Sequence, residues 1–292
     1  MSETAESLRR KIATAGDLDS VARTMKALAA ASIGQYETAV RALNEYYRTV
    51  QLGLAACFRQ TDSPVVMANK RKAGPKLINA VVFGSDQGLV GQFNDVLADF
   101  VRMELAGTPA DKTVWAVGER IHARLADDNM VPAGLFSVPQ SVNSITPLIG
   151  HILDEIGSHQ SQDESAQLLL FYNRTSGAVY QPVMQTLLPL DEAWQQSLSG
   201  MRWPSRNLPQ IIGSNASMVG ALVREYIFIS LFRACAESLA SENASRLAAM
   251  QRAEKNIEEL LADLNSASQR LRQSSIDEEL FDVIAGYEML AK

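Results

Sequence analysis

The chain has 292 residues, 47% hydrophobic and 21% charged, with a formal net charge of −6. That balance suits a protein that buries a core in one or two domains, and its acidity argues against a general nucleic-acid binder. There is no run of about 18 apolar residues to span a membrane. The opening MSETAESLRR has neither the apolar stretch of a secretory signal nor the Arg- and Ser-rich, acid-poor character of a transit peptide, so a reducing cytoplasmic setting is expected.

The first segment, Ser7 to Arg59, contains no proline. Leu18, Val21, Met25, Leu28, Ser32, Tyr36, Ala39, Leu43, Tyr46, Val50, Leu54 and Cys57 follow one another at steps of three and four, which reads as the seam of a coiled-coil helix. All ten prolines then fall between Pro64 and Pro209. Asn69 to Lys76 is a basic Gly-Pro linker. Leu77–Phe83 is predicted as a buried strand, Asn94–Leu105 as a helix, Thr113–Val117 as a strand and Glu119–Asp127 as a short helix. Val142–His159 is predicted as a helix with Pro147 near its first turn, and Leu168–Asn173 as a central strand. Ala178–Leu188 is an extended run that Pro182 assigns to a sheet edge. Strand–helix alternation predicts a small, mostly parallel α/β sheet.

From about Ile211 to Lys292 there is again no proline, and no glycine stands between Gly220 and Gly286. Leu222, Ile229, Phe232, Ala236, Leu239, Asn243, Leu247, Met250, Ala253, Ile257, Leu260, Leu264, Ala267 and Leu271 mark a second coiled-coil seam. At 1.5 Å per residue, some 75 residues reach roughly 110 Å and the first helix roughly 75 Å, far beyond a small domain. The two helices are expected to pair antiparallel as a slim rod, because alanines such as Ala27 and Ala31 or Ala248 and Ala249 let the backbones approach. The C-terminal helix should run past its partner and expose Leu260, Leu264 and Leu271. The expected organisation is a helix over 1–62, an α/β domain over 76–208 and a helix over 211–292.

Candidate chemistry is sparse. The run Gly84-Ser-Asp-Gln-Gly-Leu-Val-Gly91 lies between a strand and a helix, where a phosphate-binding turn would sit. It lacks the Gly-x-Gly-x-x-Gly spacing and any following Gly-Lys-Ser or Gly-Lys-Thr, so a structural turn is the better reading. His122, His151 and His159 show no metal-ligand spacing. Glu258 with Glu259, and Glu278 with Glu279, are neighbours that point in different directions on a helix and do not form an acid/base pair. Cys57 and Cys235 read as small buried hydrophobes. No catalytic residue, metal or cofactor is expected. On periodicity alone the chain also fits a coiled-coil scaffold with an α/β head, or an α/β enzyme using the Gly84–Gly91 turn.

Four stretches carry a resemblance. SLASENASRLAAMQRAEKNIEELLADLN (Ser238 to Asn265) and RQSSIDEELFDVIAG (Arg272 to Gly286) look like the C-terminal helix of the γ subunit of F-type ATP synthases. RRKIATAGDLDSVARTMKALAAAS fits that family's N-terminal helix. SDQGLVGQFN (Ser85 to Asn94) is similar to its Ser-Asp-Arg-Gly-Leu-Cys-Gly-Gly-Leu-Asn turn. The resemblance runs through the whole chain in order. It implies an antiparallel coiled coil of the two termini with a central Rossmann-like α/β domain. It also implies the role of a non-catalytic rotor shaft inside a ring of three α and three β subunits, standing on the c-ring beside the ε subunit. The shaft would sit on the cytoplasmic face of a bacterial inner membrane, coupling ion flow to ATP synthesis or hydrolysis.

By the same resemblance, Met25 matches the methionine that faces a β-subunit loop, and Arg246 an arginine in the same contact region. Arg272 and Gln273 match an Arg-Gln pair that hydrogen-bonds a β-subunit catch loop. Polar groups suit a contact that must break and reform as the shaft turns. The chain departs from the family at several places. Asp277 and Glu278 stand where threonine and glutamine are usual, Gln87 and Val90 where the turn has Arg and Cys, and Trp203 before Pro204 where a glutamate is common. ALAAASIGQYETAV is nearly uncharged where the family is basic. These departures imply a divergent branch, of the kind seen among alternative bacterial ATPases that move sodium ions, although the ion itself is chosen by other subunits. The Cys-bearing insertion of chloroplast members is absent, so thiol regulation is not expected.

Overall fold

The computed structural model describes residues 4–59, 77–159, 166–176, 179–190, 192–205, 207, 209, 210, 212 and 214–290. The domain limits expected at 62, 76, 208 and 211, and the Asn69–Lys76 linker, lie outside the described residues. The chain divides into two compact units, one of residues 30–245 and one of residues 1–29 with 246–292. Helices α1 (Ala5–Arg59) and α6 (Asn215–Leu290) each contribute a segment to both.

The larger unit is built on a five-stranded sheet of order β3-β2-β1-β4-β5. Its strands are β1 (Leu77–Phe83), β2 (Asp111–Val117), β3 (Gly134–Phe136), β4 (Ala166–Ser176) and β5 (Val179–Leu188). β1 pairs in parallel with both β2 and β4, and β2 with β3, while β5 closes the sheet antiparallel to β4. The parallel strands are apolar on both faces because helices cover both. The two-residue alternation sorts β1 between them. Ile78, Ala80 and Val82 pack with α2 (Phe93–Ala106) and α3 (Glu119–Asp127), whereas Val81 and Phe83 pack with α4 (Ile145–His159), α1 and α6. Pro182 lies on the edge strand β5, opposite Asn173, where its missing N–H costs no ladder bond on an inner strand.

Most predicted elements appear within two or three residues of their expected limits, and the mixed α/β class with long terminal helices is the observed one. The helix expected from Val142 begins instead as a 3₁₀ turn, Val142–Ser144, with α4 starting at Ile145. Pro147 then sits in the first turn of α4, where its lack of an N–H does no harm. Two elements lie outside the expectation: β3, and α5 (Glu192–Ser199). Gly134 of β3 is required by packing, since a Cβ there would stand 2.8 Å from the Trp115 ring.

From Tyr226 to Ser245, α6 is buried on most of its circumference. A helix apolar all round belongs inside a core, and here the sheet and α1 both pack against it. Tyr226 meets Tyr47 of α1 at 5.7 Å between ring centroids and Trp194 of α5 at 4.9 Å. Among the polar positions in this stretch are three serines at steps of three and four. Ser238 Oγ donates to the Phe83 carbonyl at 2.9 Å, Ser241 Oγ lies 2.8 Å from Thr175 Oγ1, and Ser245 Oγ donates to the Val90 carbonyl. Glu237 accepts from Arg174 of β4 and Arg233 of α6, both at 2.7 Å. The serines thus satisfy a carbonyl at the end of β1, a hydroxyl at the end of β4 and a carbonyl in the Gly84–Gly91 turn that burial would otherwise orphan.

The seam of α1 differs from expectation. In the larger unit Tyr47 is the half-buried residue, while Tyr46 is 47% exposed and donates its hydroxyl to Glu225 at 2.7 Å. In the smaller unit Leu8, Ala15, Ala22 and Ala29 are buried, and Leu18, Val21 and Leu28 are turned outward. The coil is lined by small side chains there, so the periodicity of large apolar residues marks the neighbouring track. On α6 the same shift exchanges Leu260, 49% exposed, for half-buried Leu261. Leu264 and Leu271 are half-buried too, because α1 begins as early as Ala5. The exposed overhang therefore starts at Arg272 and not at Leu260.

Candidate partner-contact site

In the smaller unit the two helices run antiparallel, held by a compact ion network. Arg23 reaches Asp19 at 3.0 Å, Glu254 at 3.2 Å and Glu258 at 3.4 Å, and Lys26 pairs with Glu254. Met25 and Arg246 are half-buried, and Arg272 and Gln273 are exposed. Arg246 and Arg272 are separated by about 39 Å of helix at 1.5 Å per residue, so the expected contact residues form separate places along the coil and not one cluster.

Two apolar surfaces accompany them. Leu18, Val21 and Leu28, 55–64% exposed, make a stripe with Met25 at steps of three and four. Beside it a groove of about 710 Å³ lies between Ser7, Lys11, Ala15 and Leu18 of α1 and Leu260 and Leu264 of α6. Every described side chain from Arg272 to Ala285 is exposed, including Ile276, Leu280, Phe281, Val283 and Ile284 at 46–69%. Contiguous apolar exposure of this extent marks an interaction surface.

The Gly84–Gly91 turn of the larger unit is occupied by its own side chains. Gly84 N–H donates to the Val117 carbonyl at 2.9 Å, and a Cβ on Gly84 would fall 2.3 Å from Ile121 Cβ. Asn94 Oδ1 accepts from Ser85 N–H at 3.1 Å, and Asn94 Nδ2 donates to Ser85 Oγ at 2.8 Å. Asp86 accepts from the Glu119 N–H at 3.0 Å and from the Val138 N–H at 2.9 Å. Its carboxylate stands at the start of α3, the place a bound phosphate would take at a helix N-terminus. Gly118, at φ 119°, brings its Cα against Ser85, where a Cβ would meet the Ser85 carbonyl oxygen at 2.6 Å. These contacts tie β1, α2, α3 and the exit of β3 together.

His122 is half-buried and His151 exposed, and the His159 side chain lies outside the described residues. Among the described residues no group of three or more His, Cys, Asp and Glu could hold a metal ion, and no helix is long and apolar enough to cross a membrane. Cys57 and Cys235 are buried thiols that form no disulfide, and burial, with Glu242 nearby, pushes the Cys235 thiol far up.

A family model described as ATP synthase matches residues 4–290. The chain belongs to the ATP synthase gamma family. It is 28% identical over 300 residues to the ATP synthase gamma chain of Syntrophus aciditrophicus (strain SB), and 25% identical over 297 residues to that of Geotalea daltonii, with 98% of each chain covered in both cases. Its fold is shared with a chain of the Euglena gracilis mitochondrial ATP synthase (OSCP/F1/c-ring, rotational state 3) at a TM-score of 0.65 and 17% identity, covering 98% of this chain and 94% of that one. It is shared also with a chain of the Tetrahymena thermophila mitochondrial ATP synthase central stalk and c-ring at a TM-score of 0.59 and 23% identity, covering 80% and 99%. The chain is therefore a component of an ATP synthase, its gamma subunit. Sequence reasoning named candidate contact residues through this family, but it missed the Ser238–Ser241–Ser245 face and the ion network. Their signals were serines at helical spacing inside an apolar run, and acids and bases on facing tracks.

Proposed function

We propose that the chain is the non-catalytic rotor shaft of the complex, turning inside a ring of three α and three β subunits with its α/β head toward the ε subunit and the c-ring. It would lie at the cytoplasmic face of a bacterial inner membrane, held there through its partners. The observation that carries this reading is the tip of the coil. Large apolar side chains point outward there while alanines fill the interior, and α6 is exposed on all sides beyond Arg272. A shaft needs a surface for a surrounding partner along its whole circumference. Each orientation then touches the three catalytic subunits differently, and those differential contacts bias each site between its states.

Within this reading Met25, Arg246, Arg272 and Gln273 face β subunits. Arg272→Ala combined with Gln273→Ala tests it. Each lost exposed polar contact is worth about 0.5–1.5 kcal/mol, roughly a three- to tenfold change, so ATPase turnover or ion pumping should fall by that modest factor while nucleotide affinity of the β sites is kept. A thousandfold loss with assembly intact would mark a chemical role and refute the shaft reading of these residues. Co-purification should give one copy per three β chains, and recovery as a stable homo-oligomer without those subunits would favour a scaffold instead.

A further inference from the structure

The tip of the coil raises a question of register. In the smaller unit the inward track of α1 is Leu8, Ile12, Ala15, Asp19, Ala22, Lys26 and Ala29. Ala15, Ala22 and Ala29 recur at heptad spacing. Over that tract, sliding one helix along the other by a heptad puts alanine where alanine was, so the tract's own apolar packing distinguishes the registers weakly; a slip there is local, since the same helices are held in the larger unit by contacts such as Tyr47 with Tyr226. The charged residues do not repeat in this way. Asp19 and Lys26 occupy seam positions with side chains only 16% and 34% exposed, facing Glu254 at 18%. One oxygen of Asp19 is buried without a hydrogen-bond partner, so the acid is not there for solvent contact.

We propose that the ion network of Asp19, Arg23 and Lys26 with Glu254 and Glu258 selects the register of the two helices at this end of the coil. The two nearest wrong registers are each penalised, in different ways. Slid one heptad in one direction, Ile33 and Ala30 take the places of Lys26 and Arg23, and Glu254 and Glu258 are left facing apolar side chains. Slid in the other direction, Asp19 takes the place of Lys26 against Glu254, and Gly16 takes that of Arg23. One slip strands the half-buried Glu254 carboxylate without a cation, and the other opposes it with that of Asp19. A polar group at a coiled-coil seam position is a well-attested means of fixing register. The electrostatics agree with the geometry: hydrogen bonding from Lys26, together with the charges of Lys26 and Arg23, holds the Glu254 carboxyl below its ordinary range. The inference rests on the coil alone and is independent of the shaft reading.

The test is a distance measurement on the full-length chain. Spin labels are placed on cysteines introduced at the exposed positions Thr24 and Gln269, the buried native cysteines remaining unlabelled. A one-heptad slip displaces the helices by about 10 Å along their axis, well within what electron–electron resonance resolves. The parent should give one narrow distance. Glu254→Lys, which sets three cations together, should add a second population displaced by about 10 Å. Lys26→Glu with Glu254→Lys, which restores opposite charges in exchanged places, should return the single distance. A single unshifted distance in helical Glu254→Lys protein would overturn the proposal, as would a double exchange that stays heterogeneous. Broad distances with loss of helicity in Glu254→Lys would also overturn it, by showing that the network holds the coil together without choosing its register.

Discussion

Removing the carboxylate of Asp86 tests whether the glycine turn is architecture or a ligand cradle. In the folded chain Asp86 accepts two backbone N–H bonds, from Glu119 at 3.0 Å and Val138 at 2.9 Å. Hydrogen bonds to a charged group contribute about 1.5–3 kcal/mol each, and a helix cap about 0.5–2 kcal/mol. Because the residue is only half-buried, Asp86→Ala should cost about 2–4 kcal/mol and not the full sum. At about 2–4 °C per kcal/mol for a domain of this size, the midpoint of thermal unfolding should fall by about 4–16 °C. Asp86→Asn keeps one acceptor oxygen but turns an amide N–H toward the other donor, so it should fall between. Urea unfolding of the full-length chain, followed by tryptophan fluorescence with Trp115 buried in the core, measures the change. Stability within about 0.5 kcal/mol of the parent would refute the structural reading of the turn. A gain of phosphate or nucleotide binding on removal of the acid would show that Asp86 had been standing in a ligand's place.

Two further substitutions check the coil. Ala22→Leu should destabilise the smaller unit by about 1–3 kcal/mol through overpacking, whereas Val21→Ala, at a position 55% exposed, should leave the isolated chain within about 0.5 kcal/mol. Helicity lost on heating measures both, and the reverse order would restore the seam drawn from the large apolar residues. Leu239→Asp places a charge at a position 4% exposed between α6 and its neighbours. It should cost several kcal/mol and abolish assembly, and normal assembly of this variant would mean that Leu239 does not face a packed neighbour.

What could be read from the residues depended on how strongly each pattern constrained the backbone. Leu77–Phe83 is a mostly apolar run with β-branched Ile78, Val81 and Val82 and reads as a buried strand, and Pro182 named its own edge. The three-residue β3 and eight-residue α5 are too short to show a period, and only packing against Trp115 or Tyr226 explains them. The helical character of α1 was plain, but its inward face was not. Periodicity weighs large apolar side chains, and the interior at the tip is built from alanine. The proposed contact residues rest only on family resemblance, because an exposed arginine on a helix carries no chemical signature of its own. The ion network and the serine face were visible as letters but acquired meaning only when facing elements brought Glu254 to Lys26 and Phe83 to Ser238.

The alanine lining has a mechanical consequence. Paired helices approach to about 8 Å between axes when small residues meet and stand nearer 10 Å when large ones do. Two coupled rods resist bending roughly as the square of their separation, so the closer pair is softer by about a third. A tip lined by Ala15, Ala22 and Ala29 is thus a more compliant spring than a leucine-lined coil of equal length. Under a sideways load it deflects further before it passes that load on.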